Sequence, residues 1–278
     1  MKTINFKPLH IECDKKDLEG NDGRGRYLFL TGSDERALCI SRHFDGTPEV
    51  MHSPRGHHLY KGTISRQGIT IDVGSISTGM GAPSMEIITS ELLKLGAKRL
   101  LRLGTCGLLQ PSFMQGGDLA IASASVRDES TTQCYVPAGF PALASLEMVQ
   151  SCIHGVERAS SGYNYHVGTF HTKSALYARE FKQGPMQQEN TQYMNTLSQA
   201  GVVASEMESS VLFTLSSIAD STRKNRHPET KERVLSGCIC AVLGEGDDFG
   251  NKEDNIQLTQ RLINAGIETY IDLYQKGF

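Results

Sequence analysis

The chain has 278 residues, of which 38% are hydrophobic and 21% charged, and its formal net charge is −3. These values are typical of a globular protein and exclude a chain that is disordered throughout. A charge this close to zero gives no general attraction to nucleic acid or anionic membranes. No stretch of the sequence is apolar over the length that a bilayer requires. We therefore expect no nucleic-acid partner and no membrane partner.

The N-terminal segment and the cysteines indicate where the protein works. MKTINFKPLHIECDKKD lacks an apolar core followed by a small-residue cleavage site, so no secretory signal peptide is expected. The seven cysteines follow no regular spacing, which favours reduced and mostly buried thiols in the cytoplasm. Cys238 and Cys240 lie two apart in an apolar run, and we expect a strand there to point them to opposite faces. That arrangement does not suit a metal site.

Apolar runs suited to buried strands alternate with amphipathic stretches. The first strand is predicted at Tyr27–Thr31, and the second, at Ile69–Thr78, stops at the flexible turn Gly79-Met80-Gly81. The next segment opens with Pro83, a residue suited to the first turn of a helix. An apolar stripe at helical spacing follows, made of Met85, Ile88, Leu92 and Leu95. Gly96 then marks the expected C-terminus of this helix.

The remaining elements continue the alternation. Further strands are predicted at Arg99–Leu103, Asp118–Val126, Tyr165–Phe170 and Val234–Leu243. Helices are predicted at Glu189–Ala200, at Met207–Ala219 and in a C-terminal segment lined by Leu258, Leu262, Ile267, Tyr270 and Leu273. The polar stretch from Asp220 to Lys231 is interpreted as a surface insertion. Helices that alternate with strands predict a layered α/β fold, and no clear linker divides the chain, so one domain spanning residues 1–278 is expected.

The exit of the first strand, TGSDER, is the first candidate for chemistry. It places Gly32 at the turn and Arg36 four residues later. A glycine after a strand lets backbone N–H groups approach an anion, and an arginine adds a bidentate positive charge. An ordinary strand-to-helix turn is the alternative.

The segment LRLGTCG is the second candidate. Arg102 stands in an otherwise apolar strand, and Thr105 follows near its end. A buried guanidinium costs several kcal/mol unless it is paired, so an anionic partner is expected. Ligands also collect at the ends of strands in α/β sheets. A structural salt bridge to a carboxylate in the core is the alternative.

The segment SEMESS is the third candidate. Glu206 and Glu208 precede an apolar helix. Carboxylates at the start of a helix complement its dipole, and they can also accept hydrogen bonds from paired sugar hydroxyls. The residues alone leave both interpretations open.

Taken together, these segments resemble the nucleoside phosphorylase family, in particular its uridine phosphorylase branch. TGSDER resembles the family's Gly-Asp-x-x-Arg phosphate turn, with Ser33 replacing the aspartate, and STGMGAPS resembles its STGIGGPS segment. LRLGTCG resembles LRIGTTG, SEMESS resembles the Glu-Met-Glu ribose motif, and HIECDKKDLEG resembles the opening His-x-x-x-x-Lys-x-Asp-Leu-x-Gly. The resemblance runs from about Pro8 to the final helix. It implies a layered α/β/α fold with a central mixed, partly barrel-like sheet.

The resemblance also implies a reaction and a site. The expected reaction is the reversible, phosphate-dependent cleavage of uridine to uracil and ribose 1-phosphate, without a metal or an organic cofactor. The expected phosphate-binding residues are Gly32, Arg36, Arg55, Arg102 and Thr105. The expected ribose-binding residues are His10, Glu206, Met207 and Glu208. In this scheme Glu208 binds the 2′- and 3′-hydroxyls, Met207 lies under the sugar and Glu206 supports the loop.

Arg55 and His10 are expected to reach the phosphate and ribose of a neighbouring subunit. A homodimer is therefore the smallest expected active unit, and the sequence leaves open whether dimers assemble into a larger ring. The alternative for both residues is an ordinary position on the protein surface.

The segments expected to bind the base depart from the family. SALYAREFKQ lacks the usual Gln-x-Arg, and placing Leu176-Tyr177 on the family's Phe-Tyr puts Glu180 and Lys182 at those positions. The candidate base-binding residues are Tyr177, Arg179, Glu180 and Gln183. AVLGEGDDFGN lacks the family's arginine, and Asp247 or Asp248 is a candidate acid for a leaving purine. A phosphorylase for purine or broad pyrimidine nucleosides, or a non-catalytic paralogue that binds phosphate or ribosyl ligands, therefore remains an alternative.

Overall fold

The computed structural model describes residues 6–159, 164–222, 231–244 and 252–278. Ten strands in these ranges are β1 Tyr27–Thr31, β2 Glu49–Met51, β3 Leu59–Arg66, β4 Ile69–Ser77, β5 Arg99–Leu108, β6 Leu119–Asp128, β7 Ala142–Leu143, β8 Tyr165–Lys173, β9 Ala204–Glu206 and β10 Leu235–Gly244. The helices are α1 Asp34–Ser41, α2 Ala82–Leu95, α3 Leu146–Ala159, α4 Gln187–Gln199, α5 Ser209–Ser221 and α6 Lys252–Gln275. Every predicted strand and helix is present. Strands β2, β3, β7 and β9 and helices α1 and α3 are found where no element is predicted.

The sheet closes on itself along one half of its width. Its strands follow the order β10-β6-β8-β9-β5-β1-β4-β3-β2, and β10 also pairs with β5. Strands β10, β6, β8, β9 and β5 thus form a closed barrel, from which β1, β4, β3 and β2 extend as an open sheet. Parallel pairs such as β1–β4 occur beside antiparallel pairs such as β3–β4. The expected mixed, partly barrel-like sheet is confirmed.

Helices cover both faces of the sheet. Helices α2 and α5 pack on one face through Ile88, Leu92 and Leu212, all of which are buried. Helices α1, α3 and α6 pack on the other face, where they contribute Ile40, Met148 and Ile271 to a second core. These two cores confirm the layered α/β/α architecture. Among the helices of the described ranges, none has the length and apolarity that a membrane crossing needs.

Two local predictions are corrected by the structure. Residues i and i+2 of a strand share a face, so Cys238 and Cys240 point the same way, with their Sγ atoms 3.6 Å apart in the core. Asp220 is not part of a surface insertion: it is buried in α5, where it accepts hydrogen bonds from Val234 N at 2.8 Å and Arg233 Nε at 3.3 Å. Residues 223–230 of that stretch lie outside the described ranges.

Candidate active site

The turn after β1, Arg102 in β5 and the Glu206–Glu208 segment meet at one edge of the sheet. Strands β1, β4, β5 and β10 run parallel, so their carboxyl ends meet at this edge. Ligands of open α/β sheets bind in this position. The turn after β1 and the turn after β4 touch there, because a Cβ placed on Gly32 would lie 3.9 Å from the carbonyl oxygen of Gly79. The junction between β9 and α5 joins them through Glu208.

The Gly79-Met80-Gly81 turn depends on both of its glycines. Gly79 and Gly81 have φ angles of 72° and 81°, in the left-handed region that favours glycine. A Cβ at Gly79 would overlap Ser84 Oγ. This backbone turns the amide of Gly81 toward the junction of β9 and α5, where it donates to Glu208 Oε1 at 2.6 Å. The turn therefore fixes the carboxylate that is expected to bind ribose.

Arg102 is buried and only partly paired. Its Nε donates to Glu206 Oε2 at 3.1 Å, and its Nη2 donates to Glu208 Oε2. Burial opposes the charged form, but Glu208 and Glu206 outweigh it and raise the pKa of Arg102 above its usual range. The structural salt bridge left open as an alternative thus exists. It does not use Nη1, which is buried and has no hydrogen-bond partner among the described residues.

Arg36 is a second cation at the same edge. Ser33 caps α1, since its Oγ accepts a hydrogen bond from Arg36 N at 3.3 Å. Within the described ranges the Arg36 guanidinium forms no hydrogen bond or ion pair. Burial and then the charge of Arg102 lower its pKa. An anion between the two arginines would remove their repulsion and satisfy Arg102 Nη1. Thr105 is half-buried and follows Arg102 by three residues in β5.

Glu206 holds this edge together. Its buried carboxylate accepts hydrogen bonds from Thr172 Oγ1 at 2.7 Å and from the amides of Glu208 and Ser209 at 2.9 Å. Burial disfavours its ionised form, yet Arg102 and Ser209 hold the pKa of Glu206 below its usual value. It joins β5, β8 and the start of α5. A carboxylate with this many partners has a supporting role and little capacity left for a sugar.

Glu208 stands at the N-terminal cap of α5 and faces the open edge. Burial raises its pKa, while Arg102 opposes the shift. Its Oε2 also accepts a hydrogen bond from Met207 N at 3.2 Å. The Met207 side chain runs beside the same turn, with its Cε 3.8 Å from where a Cβ on Gly81 would lie. Glu208 and Met207 thus present a carboxylate and an apolar surface together.

His10 and Arg55 lie close to each other. Ser53 links them, because its Oγ donates to the carbonyl of His10 at 2.7 Å and accepts from Arg55 N at 3.2 Å. Glu91 holds the His10 segment through hydrogen bonds from backbone amides and from His10 Nδ1 at 2.8 Å. The Arg55 side chain is exposed, and Leu9 beside His10 is 81% exposed. We call these residues, Leu9, His10, Ser53 and Arg55, the N-terminal patch.

We call the edge that carries Arg36 and Arg102 the arginine site, and the N-terminal patch is not bonded to it within the described residues of the same chain. In the part of the chain that the structure describes, neither His10 nor Arg55 bonds to Arg36, Arg102 or Glu208. The structure therefore brings together the phosphate and ribose residues of the sheet edge but not these two.

The segment expected to bind the base forms a single π-type turn at Leu176–Glu180. Glu180 is the member that faces the sheet, and its Oε1 fills the space where a Cβ on Gly107 would lie. The cation beside it is Lys173, whose Nζ is 2.8 Å from Glu180 Oε2. Lys182, which the sequence places at the family's arginine position, is not that partner. Lys173 was not among the predicted site residues, although a lysine at the end of a buried strand segment is an available signal.

The other base candidates point elsewhere. Arg179 binds Asn190 at 2.6 Å and Asp128 at 2.9 Å, and its guanidinium stacks 4.2 Å from the ring centroid of Tyr193. Tyr177 is 66% exposed, and Gln183 is exposed too. The structure does not place these three residues beside Arg102 or Glu208. The two candidate acids, Asp247 and Asp248, lie outside the described residues.

Comparisons with known proteins identify the family and the fold. The family model of the phosphorylase superfamily matches residues 26–222. The chain is 33% identical over 257 residues to a uridine phosphorylase of Thermococcus kodakarensis, covering 90% of this chain and 82% of that protein. It is 29% identical over 247 residues to a uridine phosphorylase of Treponema pallidum, covering 88% of each. A crystal structure of uridine phosphorylase from Vibrio fischeri matches the fold with a TM-score of 0.76 at 24% identity, covering 99% of this chain and 100% of that one.

Proposed function

The chain belongs to the phosphorylase superfamily, and we propose that it is a uridine phosphorylase, which cleaves uridine reversibly with phosphate to give uracil and ribose 1-phosphate. One observation carries the proposal. Among the described residues, buried Arg102 has an Nη1 without a partner and the Arg36 cation that it repels has none either, while the carboxylate of Glu208 lies at the same edge. This combination suits an anion and a polyhydroxylated sugar bound side by side.

Phosphate is the nucleophile in the proposed reaction. Arg36 and Arg102 hold it, and Thr105 and the Gly32 turn add a hydroxyl and backbone donors. Phosphate is a weak nucleophile, so its orientation beneath C1′ matters most. Positioning of this kind lowers a barrier by about 7–11 kcal/mol in favourable cases.

The sugar lies over Met207, and Glu208 accepts hydrogen bonds from its 2′- and 3′-hydroxyls. The C1′–N1 bond breaks with its electron pair going to the base, and a phosphate oxygen forms the new bond to C1′. The sugar passes through an oxocarbenium-like state, which the nearby phosphate and carboxylate charges stabilise. The departing uracil anion accepts a proton or is stabilised by hydrogen bonds.

The test is release of free base from uridine, thymidine, inosine and adenosine, each with and without phosphate. Phosphate-dependent release of uracil is the expected result. Release only from inosine or adenosine would replace the proposal with a purine nucleoside phosphorylase. If no base is released from any of the four, a non-catalytic ligand-binding paralogue becomes the better account.

The free cysteines support a cytoplasmic setting for nucleoside salvage.

We also propose that the active unit is a homodimer in which the N-terminal patch completes the partner's site. Supporting this, Arg55 and Leu9 are exposed, Glu91 and Ser53 hold the patch in place through hydrogen bonds, and among the described residues neither His10 nor Arg55 forms a hydrogen bond or ion pair with Arg36 or Arg102 of the same chain. Met80, in the turn beside the site, is also 81% exposed.

Mixing two inactive variants tests the shared site. Arg55→Met removes a residue donated to the partner, and Arg102→Met removes a residue used within the same chain. About half of the randomly mixed dimers contain one chain of each variant, and each of these dimers has one intact site out of two. Activity should therefore return to roughly a quarter of wild type. Turnover is measured after unfolding and refolding the two variants together. The control is a mixture of Arg36→Met and Arg102→Met, which should show no turnover beyond that of the two variants alone. If the mixture of Arg55→Met and Arg102→Met also recovers no turnover, the shared site is contradicted.

A further inference from the structure

Three buried cysteines lie beside Arg102 and have no role in the proposed reaction. Cys238 and Cys240 share a face of β10, with their Sγ atoms 3.6 Å apart, and Cys106 lies on the neighbouring strand β5. The Cys106 thiol donates to the carbonyl oxygen of Ala241 at 3.7 Å and also bonds to the thiol of Cys240. We call Cys106, Cys238 and Cys240 the cysteine cluster, and Cys240 is its middle member.

The register of β5 and β10 places the cysteine cluster around the guanidinium of Arg102. Cys238 lies opposite Arg102 in this parallel pair, and Cys240 lies opposite Gly104. The Arg102 side chain lies over Gly104, because its Nη2 would be 2.8 Å from a Cβ added there. Residues two apart in a strand share a face, so the guanidinium and the Cys240 thiol are on the same side of the sheet. Cys240 is therefore a neighbour of the cation expected to bind phosphate.

These neighbours favour the thiolate form of Cys240. Burial opposes ionisation, but hydrogen bonds from Cys106 and Cys238 and the charge of Arg102 hold the pKa of this thiol well below its usual value. The second cation of the site is close as well: burial and Arg102 lower the pKa of Arg36, and Cys240 gives the largest opposing effect. The thiolate is the form of cysteine that reacts as a nucleophile.

We propose that Cys240 is an oxidation site, where a peroxide joins it to Cys238 in a disulfide and thereby disables the phosphate site. Phosphate must reach Arg102 Nη1 in the proposed reaction, and hydrogen peroxide is smaller than phosphate, so the same edge admits it. The oxidation itself is independent of the proposed function, whereas its effect on turnover rests on that function.

The chemistry consumes one hydrogen peroxide molecule for each disulfide. The Cys240 thiolate attacks one peroxide oxygen, the O–O bond breaks, and the other oxygen leaves as hydroxide, which takes a proton from solvent. The Cys238 sulfur then attacks the resulting sulfenic acid. The S–S bond forms, the S–O bond breaks, and hydroxide leaves with the proton of Cys238 as water. The two sulfurs lose two electrons in total, and the peroxide is reduced to two water molecules.

Closing the disulfide would distort the phosphate site. The two Sγ atoms must approach from 3.6 Å to about 2.05 Å, which pulls on β10 where it pairs with Arg102 and Gly104. Misplacing a positioning group by about 1 Å can cost roughly 100-fold in rate. We therefore expect the oxidised protein to cleave uridine at least roughly tenfold more slowly than the reduced protein.

The experiment treats reduced, phosphate-free protein with limiting hydrogen peroxide, blocks the remaining thiols with iodoacetamide and maps each cysteine by peptide mass spectrometry. The half-buried Cys39 and the exposed Cys134 are internal comparisons. An ordinary thiol is only about a few per cent ionised at pH 7, so Cys240 should be oxidised roughly tenfold faster than Cys134. The expected product is the disulfide between Cys238 and Cys240, and dithiothreitol should restore uridine turnover. Oxidation of Cys39 or Cys134 while Cys240 stays reduced overturns the proposal.

The double variant Cys106→Ala/Cys238→Ala leaves Cys240 without a second thiol in the cysteine cluster. Its sulfenic acid should therefore persist and be trapped by dimedone, whereas wild type should show little trapping. Cys134→Ser is the matched control and should form the disulfide at the wild-type rate. Equal dimedone labelling of Cys240 in wild type and in the double variant overturns the disulfide. If the double variant does not fold, the comparison of Cys240 with Cys134 in wild type decides.

Bound phosphate should protect Cys240, because it places a negative charge beside the thiol and disfavours the thiolate. Saturating phosphate should slow the oxidation of Cys240 at least roughly tenfold and leave that of Cys134 unchanged. An unchanged rate at Cys240 overturns the placement of this thiol in the phosphate site, and full turnover by the disulfide form overturns its effect on that site. Wild type that leaves uridine intact refutes the proposed function, while the peptide map still tests the oxidation site.

Discussion

Arg102→Met is expected to lower kcat/KM for uridine by at least roughly 10³-fold and to reduce the free energy of unfolding by about 3–5 kcal/mol. The first effect follows because Nη1 is the buried donor left open for phosphate. The second follows because Glu206 and Glu208 would be left as buried carboxylates without their cation. Steady-state kinetics and urea unfolding measure the two effects in the same preparation.

Arg36→Met is the matched control for this prediction. Arg36 has no ionic partner among the described residues, and burial and the charge of Arg102 already lower its pKa. The free energy of unfolding should therefore stay within about 0.5 kcal/mol of wild type or rise slightly, while the KM for phosphate increases at least roughly tenfold. Equal destabilisation by the two variants would contradict the assignment of Arg102 as both a structural and a ligand-binding cation.

Glu208→Gln is expected to lower kcat/KM for uridine by roughly 100-fold, and for 2′-deoxyuridine by only roughly tenfold. The carboxylate is expected to accept hydrogen bonds from both ribose hydroxyls, and the deoxy substrate has already lost one of them. The measurement is the ratio of kcat/KM for the two nucleosides, which cancels differences in folded fraction.

Glu206→Gln provides the comparison for Glu208→Gln. Glu206 bonds to Thr172, Ser209 and Arg102 rather than facing the open edge. Its replacement should destabilise the fold and reduce turnover of uridine and 2′-deoxyuridine by the same factor. If Glu208→Gln also affects both nucleosides equally, the 2′-hydroxyl is not its ligand.

The elements that could be predicted are those that a short local pattern marks, such as an apolar run or a glycine at the end of a helix. Strand β1 has the predicted bounds, and Gly96 ends α2 in the left-handed conformation with φ 104°. Strand β3 was not predictable in this way, because LYKGTISR mixes polar and apolar residues and pairs near the open end of the sheet. Helix α3 is also absent from the predicted elements, although Met148, Cys152 and Val156 recur every four residues along it.

The residues of the candidate site differ in predictability for the same reason: local motifs could be recognised, and contacts between distant segments could not. Motifs of a few adjacent residues supplied Gly32, Arg36, Arg102 and Glu208, which the structure brings to one edge. The ion pairs of Arg102 with Glu206 and Glu208 could not be predicted, because these residues are 104 and 106 positions apart in the sequence. The base half was least predictable. The cation that pairs with Glu180 is Lys173, which comes from the strand before the expected segment, and this pairing depends on how the Leu176–Glu180 turn folds back onto β5.

The closed half of the sheet has a consequence for protein engineering. Glu206 in β9 bonds to Thr172 in β8 and to Arg102 in β5, so it holds these three strands of the barrel together. Residues 174–184, which follow β8, form a loop with a single helical turn. Because this loop is the segment expected to bind the base, a mutant library confined to it is expected to change which nucleoside is accepted while the barrel stays folded. A library in β9 would return mostly unfolded protein. Selection for new nucleoside analogues should therefore begin in the loop and keep SEMESS unchanged.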